Sequence, residues 1–259
     1  MFDFILSLSA LVGCLVLITF TIVMGFVVYI SSYKLISKYK REDMKDSTTN
    51  LFRVVGMLVS LMLALAFSEV IIETRTIRKA IQSEAAAISD VFGVLKLFDS
   101  EGTRDIQTIV VDYTQAIIDD DWPAMADGRL SQRVENLRTQ IAKGVLNLKP
   151  TTPAQDKMVW YMIDDIDALS DHRVIRLDAA LAKAPVYLYV IIFGFLVTMA
   201  CFGVYRPQAP LMVLVTFYTV FVGLVLYLIL ALSEPFQSGI GVSPAPFEYL
   251  VERLQSGLS

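Results

Sequence analysis

The sequence predicts an all-α membrane protein with four transmembrane helices and an extramembrane antiparallel helical bundle inserted between helices 2 and 3. Three observations predict it. The 259 residues are 55% hydrophobic with a mean hydropathy of +0.59, above the apolar share of a soluble domain. Four long stretches carry almost no charge, each near the roughly 20 residues needed to cross hydrocarbon. Between the second and third of them lies a polar segment whose apolar residues recur at spacings of three and four, the mark of amphipathic helices.

Residues 1–72 hold the first two spans. No residue between Asp3 and Lys34 is charged. That run exceeds the apolar core of about 7 to 15 residues of a cleavable signal, so it reads as a retained span. Tyr29 and Tyr33 suit an interfacial aromatic belt. Segment 34–50 is a short basic loop with Lys34, Lys38, Lys40, Arg41 and Lys45, followed by Arg53. Short loops rich in Lys and Arg stay in the cytoplasm. The reading is therefore a multi-pass protein of a bacterial inner membrane, with loop 34–50 cytoplasmic and the termini and bundle periplasmic. Arg75, Arg78 and Lys79 after the second span, and Arg173, Arg176 and Lys183 before the third, pull the other way.

Leu51 to Phe98 reads as one helix. Val54 to Ser68 is uncharged, and beyond Glu73 the residues Ile77, Ile81, Ala85, Ile88 and Val91 keep one apolar face. No proline or glycine falls between Gly56 and Gly93.

Residues 73–183 continue as the bundle. Ile106, Ile109, Val110, Tyr113 and Ile117 mark a helix expected to end at Asp119, Asp120, Asp121 and the Trp122-Pro123 break, because proline disfavours helix in the residue before it. Leu130, Val134, Leu137, Ile141, Val145 and Leu148 mark the next. Thr152, Pro153 and Gln155 form a start signal of N-cap, first-turn proline and capping-box residue. The helix after it is expected to bury Met158, Met162, Ile166, Leu169, Leu177 and Leu181. Residues 184–232 then supply the third span, entered through Pro185, and the fourth, Leu211 to Leu232. The tail, 233–259, has Pro and Gly punctuation and a short amphipathic helix after Ser243 and Pro244. Its Phe247, Leu250, Val251 and Leu254 are expected to lie on the membrane surface or on the bundle.

Together the order of these elements and several motifs resemble the bestrophin-like family of bacterial and plant membrane proteins, a domain of unknown function. The matching stretches are Gly56 to Phe67 running into Glu84-Ala85, Tyr113 with Asp121-Trp122, and Leu169 with Arg173 and Arg176. In the tail they are Pro235-Phe236-Gln237-Ser238-Gly239 and Val242-Ser243-Pro244. The chain has Ser233-Glu234 where the family pattern has an aspartate ahead of the Pro-Phe pair. The resemblance implies similarity to bestrophins, which are pentameric anion channels gated by calcium. It thus implies a homo-oligomer in lipid that conducts small ions, anions before cations.

Small residues recur at every fourth position of the second span, Gly56, Ser60, Ala64 and Ser68, a spacing that lets another backbone approach closely in lipid. That face either packs on a neighbouring span of the same subunit or surrounds an oligomer axis, where Ser60 and Ser68 touch permeating ions. Glu69, with Glu73 one turn on, is the candidate pore mouth, because ionisable groups at that depth face protein or water, or snorkel to the interface. Asp119, Asp120 and Asp121 carry the oxygen ligands that calcium prefers, as do Asp164, Asp165, Asp167 and Asp171, but no EF-hand spacing is present. Solvated helix ends and faces are the favoured explanation of both groups. Arg173 and Arg176 are expected to pair with Glu84 or Asp90.

The remaining observations exclude. A net charge of −4 and a pI of 5.1 argue against nucleic acid. Cys14 and Cys201 both lie in apolar spans, so no disulfide framework is indicated, and the single histidine, His172, provides no metal-ligand pair. No phosphate loop or nucleophile elbow occurs, so the chain does not read as an enzyme. The alternative to ion transport is a membrane-anchored sensor or scaffold whose bundle binds a ligand or partner protein.

Overall fold

A computed structural model describes residues 9–36, 45–98, 100, 102–182, 186–238 and 240–258. Lys38, Lys40, Arg41, Pro185 and Gly239 lie outside the described residues. Within them every regular element is helical: α1 Ala10–Ile36, α2 Lys45–Phe98, α3 Thr103–Ala116, a π-helical turn Ile117–Asp121, α4 Trp122–Ala126, α5 Gln132–Leu146, α6 Pro153–Leu181, α7 Tyr187–Phe202, α8 Ala209–Ser233 and α9 Ala245–Leu258. The chain forms two compact units, residues 1–73 with 183–240 and residues 74–182 with 241–259.

Helix α2 contributes to both units as one uninterrupted helix of 54 residues. It begins at Lys45, six residues before the expected Leu51, so the end of the 34–50 loop is helical. Asp46 in its first turn complements the positive end of the helix dipole, and no residue before Phe98 breaks the ladder.

In the first unit α1, α2 and α8 are long and apolar enough to cross a membrane, and α7 is a shorter apolar helix of 16 residues. Helix α1 packs on α7 and α8 through Gly13, Leu17, Thr21, Gly25 and Tyr29, one residue per turn. Small residues are required on that face. A Cβ on Gly25 would sit 2.7 Å from Thr219 Cγ2 and 3.2 Å from Met199 Sδ. The close approach also lets the Thr21 hydroxyl donate to the Thr219 carbonyl at 3.2 Å, a bond with no competing water in hydrocarbon. Helix α2 enters this core with Val59, Leu63, Ala66 and Val70.

In the second unit the predicted face of α2, Ile77, Ile81, Ala85, Ile88 and Val91, is buried throughout. Helix α3 packs on α5 and α9, and α5 on α6. The tail helix α9 therefore belongs to the bundle. Arg78 Nη2 donates to the Gly241 carbonyl at 2.8 Å, Lys96 Nζ to the Gly257 carbonyl at 2.9 Å, and Arg253 hydrogen-bonds Ser89.

Three local expectations need correction. The chain does not stop at Asp119–Asp121; it widens into a π turn, with the Trp122 N–H donating five residues back to the Ile117 carbonyl, and continues helical. Pro123 is accommodated directly after the widened turn, as the second residue of α4. At the start of α6, Thr152 caps the Gln155 N–H as expected, but Gln155 Oε1 accepts from the Thr151 N–H rather than that of the cap. On α6 the buried register runs Met162, Ile166, Leu169, Arg173 and Arg176. Leu177 is half-buried and Leu181 exposed, because two arginines occupy the inward positions expected to go to leucines.

Gly25→Val should lower the stability of the first unit by about 1–3 kcal/mol, the usual cost of overpacking a filled core. Thermal unfolding in detergent is the measurement.

Candidate functional site

Two features carry functional weight, each inside one unit. The first is the outward arc of α2. Its inward residues, Val59, Leu63, Ala66 and Val70, complete the core of the first unit. The small-residue row is not used there: Ser60, Ala64 and Ser68 are exposed, and a Cβ on Gly56 would meet nothing within 4 Å. Packing among the described residues therefore does not account for the row. The row that fills that role is on α1, where Gly13, Thr21 and Gly25 follow the same four-residue spacing. The sequence displays both rows; which one meets a partner inside the chain depends on packing.

Between Ser60 and the other edge of the arc lie Met57, Leu61 and Leu65, 75%, 54% and 63% exposed. Glu69 and Glu73 are exposed as well. Glu69 follows Ser60 by nine residues, which at about 100° per residue is half a turn round the helix. The row and the two glutamates thus centre on opposite edges of the arc, with Ser68 nearest the glutamates at about 100° from Glu69.

The second feature is a buried charge cluster in the bundle. Arg176 is fully buried and clasps Glu84 with two bonds, Nε to Oε2 at 2.8 Å and Nη2 to Oε1 at 3.0 Å. Its Nη1 donates to Asp121 Oδ2 at 3.0 Å, and its guanidinium lies 5.7 Å from the centre of the Phe247 ring. Asp121 comes from the π turn, whose extra residue turns the carboxylate inward; its Oδ1 accepts from the Ser131 N–H at 3.2 Å. Arg173 Nη1 donates to Glu135 Oε2 at 2.5 Å, and Arg138 Nη2 to Glu135 Oε1 at 2.6 Å. The Tyr113 hydroxyl donates to Glu84 Oε1 at 3.5 Å.

The buried charges balance two against two, Glu84 and Asp121 with Arg173 and Arg176, as buried charge must, while Glu135 and Arg138 form a half-buried margin. Burial works against the Arg176 charge, yet Glu84 and Asp121 outweigh it and hold the guanidinium pKa above its ordinary value. Burial, with Glu84 beside it, pushes the Tyr113 phenol far up, so it stays a neutral donor. Hydrogen bonding from Arg138 holds Glu135 below the usual carboxylate range.

Of the expected pairings, Arg176 takes Glu84, while Arg173 takes Glu135 and approaches Asp121 at 3.8 Å. Asp90 has no part in the cluster; it lies exposed beside Asp165. The aspartate trio does not converge on one point among the described residues. Asp119 accepts from Gln115 Nε2 at 2.9 Å, Asp120 pairs with Arg133 at 2.9 Å, and Asp121 is committed to the cluster. Among the described residues no three His, Cys, Asp or Glu side chains converge to hold a metal.

Arg176→Met should cost about 3–5 kcal/mol, because it strands two buried carboxylates without their cation. Combining it with Glu84→Gln and Asp121→Asn should recover part of the loss in thermal unfolding.

The cluster joins Glu84, Tyr113, Asp121, Arg173 and Arg176, residues scattered over 93 positions of the chain. Comparison with solved structures finds a bacterial bestrophin homologue from Klebsiella pneumoniae. A single-substitution variant of that homologue matches with a TM-score of 0.67 at 14% identity, covering 93% of this chain and 97% of that one. Another crystal structure of the homologue matches with a TM-score of 0.64 at 14% identity, covering 94% and 96%. At that identity the likeness establishes the fold. Comparison with curated protein sequences finds no significant match. The bestrophin-like domain profile, however, matches residues 9–247. Spanning nearly the whole chain, that match makes this protein a member of the bestrophin-like family.

Proposed function

We propose that the protein is an oligomeric, four-span channel or transporter of small ions, with anions favoured on the family likeness alone. The observation that carries this is the outward small-residue row of α2. A membrane helix that keeps Gly56, Ser60, Ala64 and Ser68 off its own subunit's core has the close-approach surface that helix association in lipid uses. Copies of α2 arranged round an axis, five by family likeness, would turn the Ser60 and Ser68 hydroxyls to the path. The Met57, Leu61 and Leu65 row then meets a neighbouring copy.

Helix α7 is the third span in this reading. Its 16 residues rise about 24 Å at 1.5 Å each, and the uncharged Ala184 to Val186 ahead of it in sequence extend the apolar run. The basic segment that opens α2 faces the cytoplasm, as the positive-inside rule directs. Glu69 and Glu73, on the other edge of the arc, serve as rim residues beside the path.

Purified protein in liposomes should pass chloride. Ser60→Trp should abolish flux while the oligomer persists. Glu69→Gln should leave the reversal potential unchanged, because Glu69 lies half a turn from Ser60 and at the rim beyond Ser68; a shift toward anion selectivity would move the path to that edge. A silent wild type whose bundle is stabilised by a small molecule would favour a sensor instead.

A further inference from the structure

We propose that the first unit carries a binding site for an anionic phospholipid, in the cleft between the start of α2, the end of α7 and the start of α8. The cavity measures about 290 Å³ and is lined by Thr48, Thr49, Phe52, Arg53, Cys201, Phe202, Tyr205 and Leu211. Its polarity is graded. Phe52 and Phe202 meet edge to face with ring centres 5.0 Å apart, and with Leu211 and Cys201 they form an apolar slot. On the polar side, Thr49 Oγ1 and the Tyr205 hydroxyl share a hydrogen bond of 2.7 Å, and Tyr29 braces this corner by donating to the Tyr205 carbonyl at 3.3 Å. Arg53 stands over the slot, exposed and in no ion pair among the described residues.

The position in the sequence gives the depth. Arg53 is the last charge before the uncharged run Val54 to Ser68, so its guanidinium lies at the boundary between hydrocarbon and headgroups, where a long basic side chain snorkels toward phosphate. Charge complementarity selects the ligand. Lys45, Arg53 and Arg206 outnumber Asp46 among the described charges on these segments. Thr49 donates to the Lys45 carbonyl at 2.7 Å and Tyr205 to Thr49, so these hydroxyls brace the polar side while the Arg53 guanidinium supplies the charge-assisted hydrogen bonds to a phosphodiester. The apolar slot beneath accepts the upper part of an acyl chain. A free anion would leave that slot empty, and a zwitterionic lipid would bring a cation against Arg53.

This site requires only that the protein reside in a membrane, and its test does not use ion flux. Full-length protein is delipidated in detergent and titrated with phosphatidylglycerol or phosphatidylcholine under native mass spectrometry. Wild type should prefer phosphatidylglycerol. Arg53→Gln should narrow that preference by about fivefold, the weight of one arginine at an anionic surface, and Arg53→Lys should keep most of it. Leu211→Trp, which fills the slot, should lower phosphatidylglycerol binding in the same titration. That arm retains Arg53 and decides alone should Arg53→Gln fail to fold. An unchanged preference in folded Arg53→Gln overturns the proposal, as does unchanged phosphatidylglycerol binding in folded Leu211→Trp. So does displacement of phosphatidylglycerol by inorganic phosphate alone, which marks a free-anion site, or equal binding of phosphatidylcholine by the wild type, which marks an unselective acyl slot.

Discussion

Everything in this fold depends on one helix keeping its hydrogen-bond ladder intact from Lys45 to Phe98. Inside hydrocarbon a broken ladder strands polar groups with no water to satisfy them, so a span stays helical to its end. Here the helix also continues past the apolar stretch, because the residues after Glu73 place Ile77 to Val91 on one buried face and supply no glycine or proline to stop it. The same helix thus provides Val59 and Leu63 to one core and Ile81 and Ile88 to another.

The bundle's contribution is to hold a fully buried arginine. An unpaired guanidinium in that position would unfold the domain. Arg176 is tolerated because α2, the π turn and α6 deliver Glu84 and Asp121 to its three nitrogens, with Phe247 of α9 covering its face. Replacing such a cluster by well-packed leucines often costs little, so stability alone is a weak reason for it. Its geometry specifies register instead. The bidentate clasp on Glu84 fixes α6 along α2, and the single bond to Asp121 fixes the π turn between them. A slip of one helical turn would separate every partner.

The helices and their faces were legible in the sequence wherever apolar residues alone set the period, as in Ile77 to Val91 and Met162 to Leu169. What was not legible depended on partners distant in the chain. The inward register of α6 runs through Arg173 and Arg176, and hydropathy assigns those positions to solvent; the clue lay in their spacing of four and seven from Leu169. The π turn was hidden because Asp119 to Pro123 has the composition of a helix end, and only the pairing of Asp121 with two arginines shows why the chain winds on. The small residues of α2 were visible, but their fate was not. Gly25 and Gly56 look alike in sequence, while one touches Thr219 and the other faces away from its own subunit.

The central claim is that the Gly56, Ser60, Ala64 and Ser68 face of α2 meets copies of itself around an axis. Electron cryo-microscopy of the full-length protein in lipid nanodiscs tests it most directly. The account predicts a ring of α2 helices at the symmetry axis with Ser60 and Ser68 turned inward. A particle whose axis is formed by α1 or α8, or in which that face of α2 is covered by lipid, would contradict it.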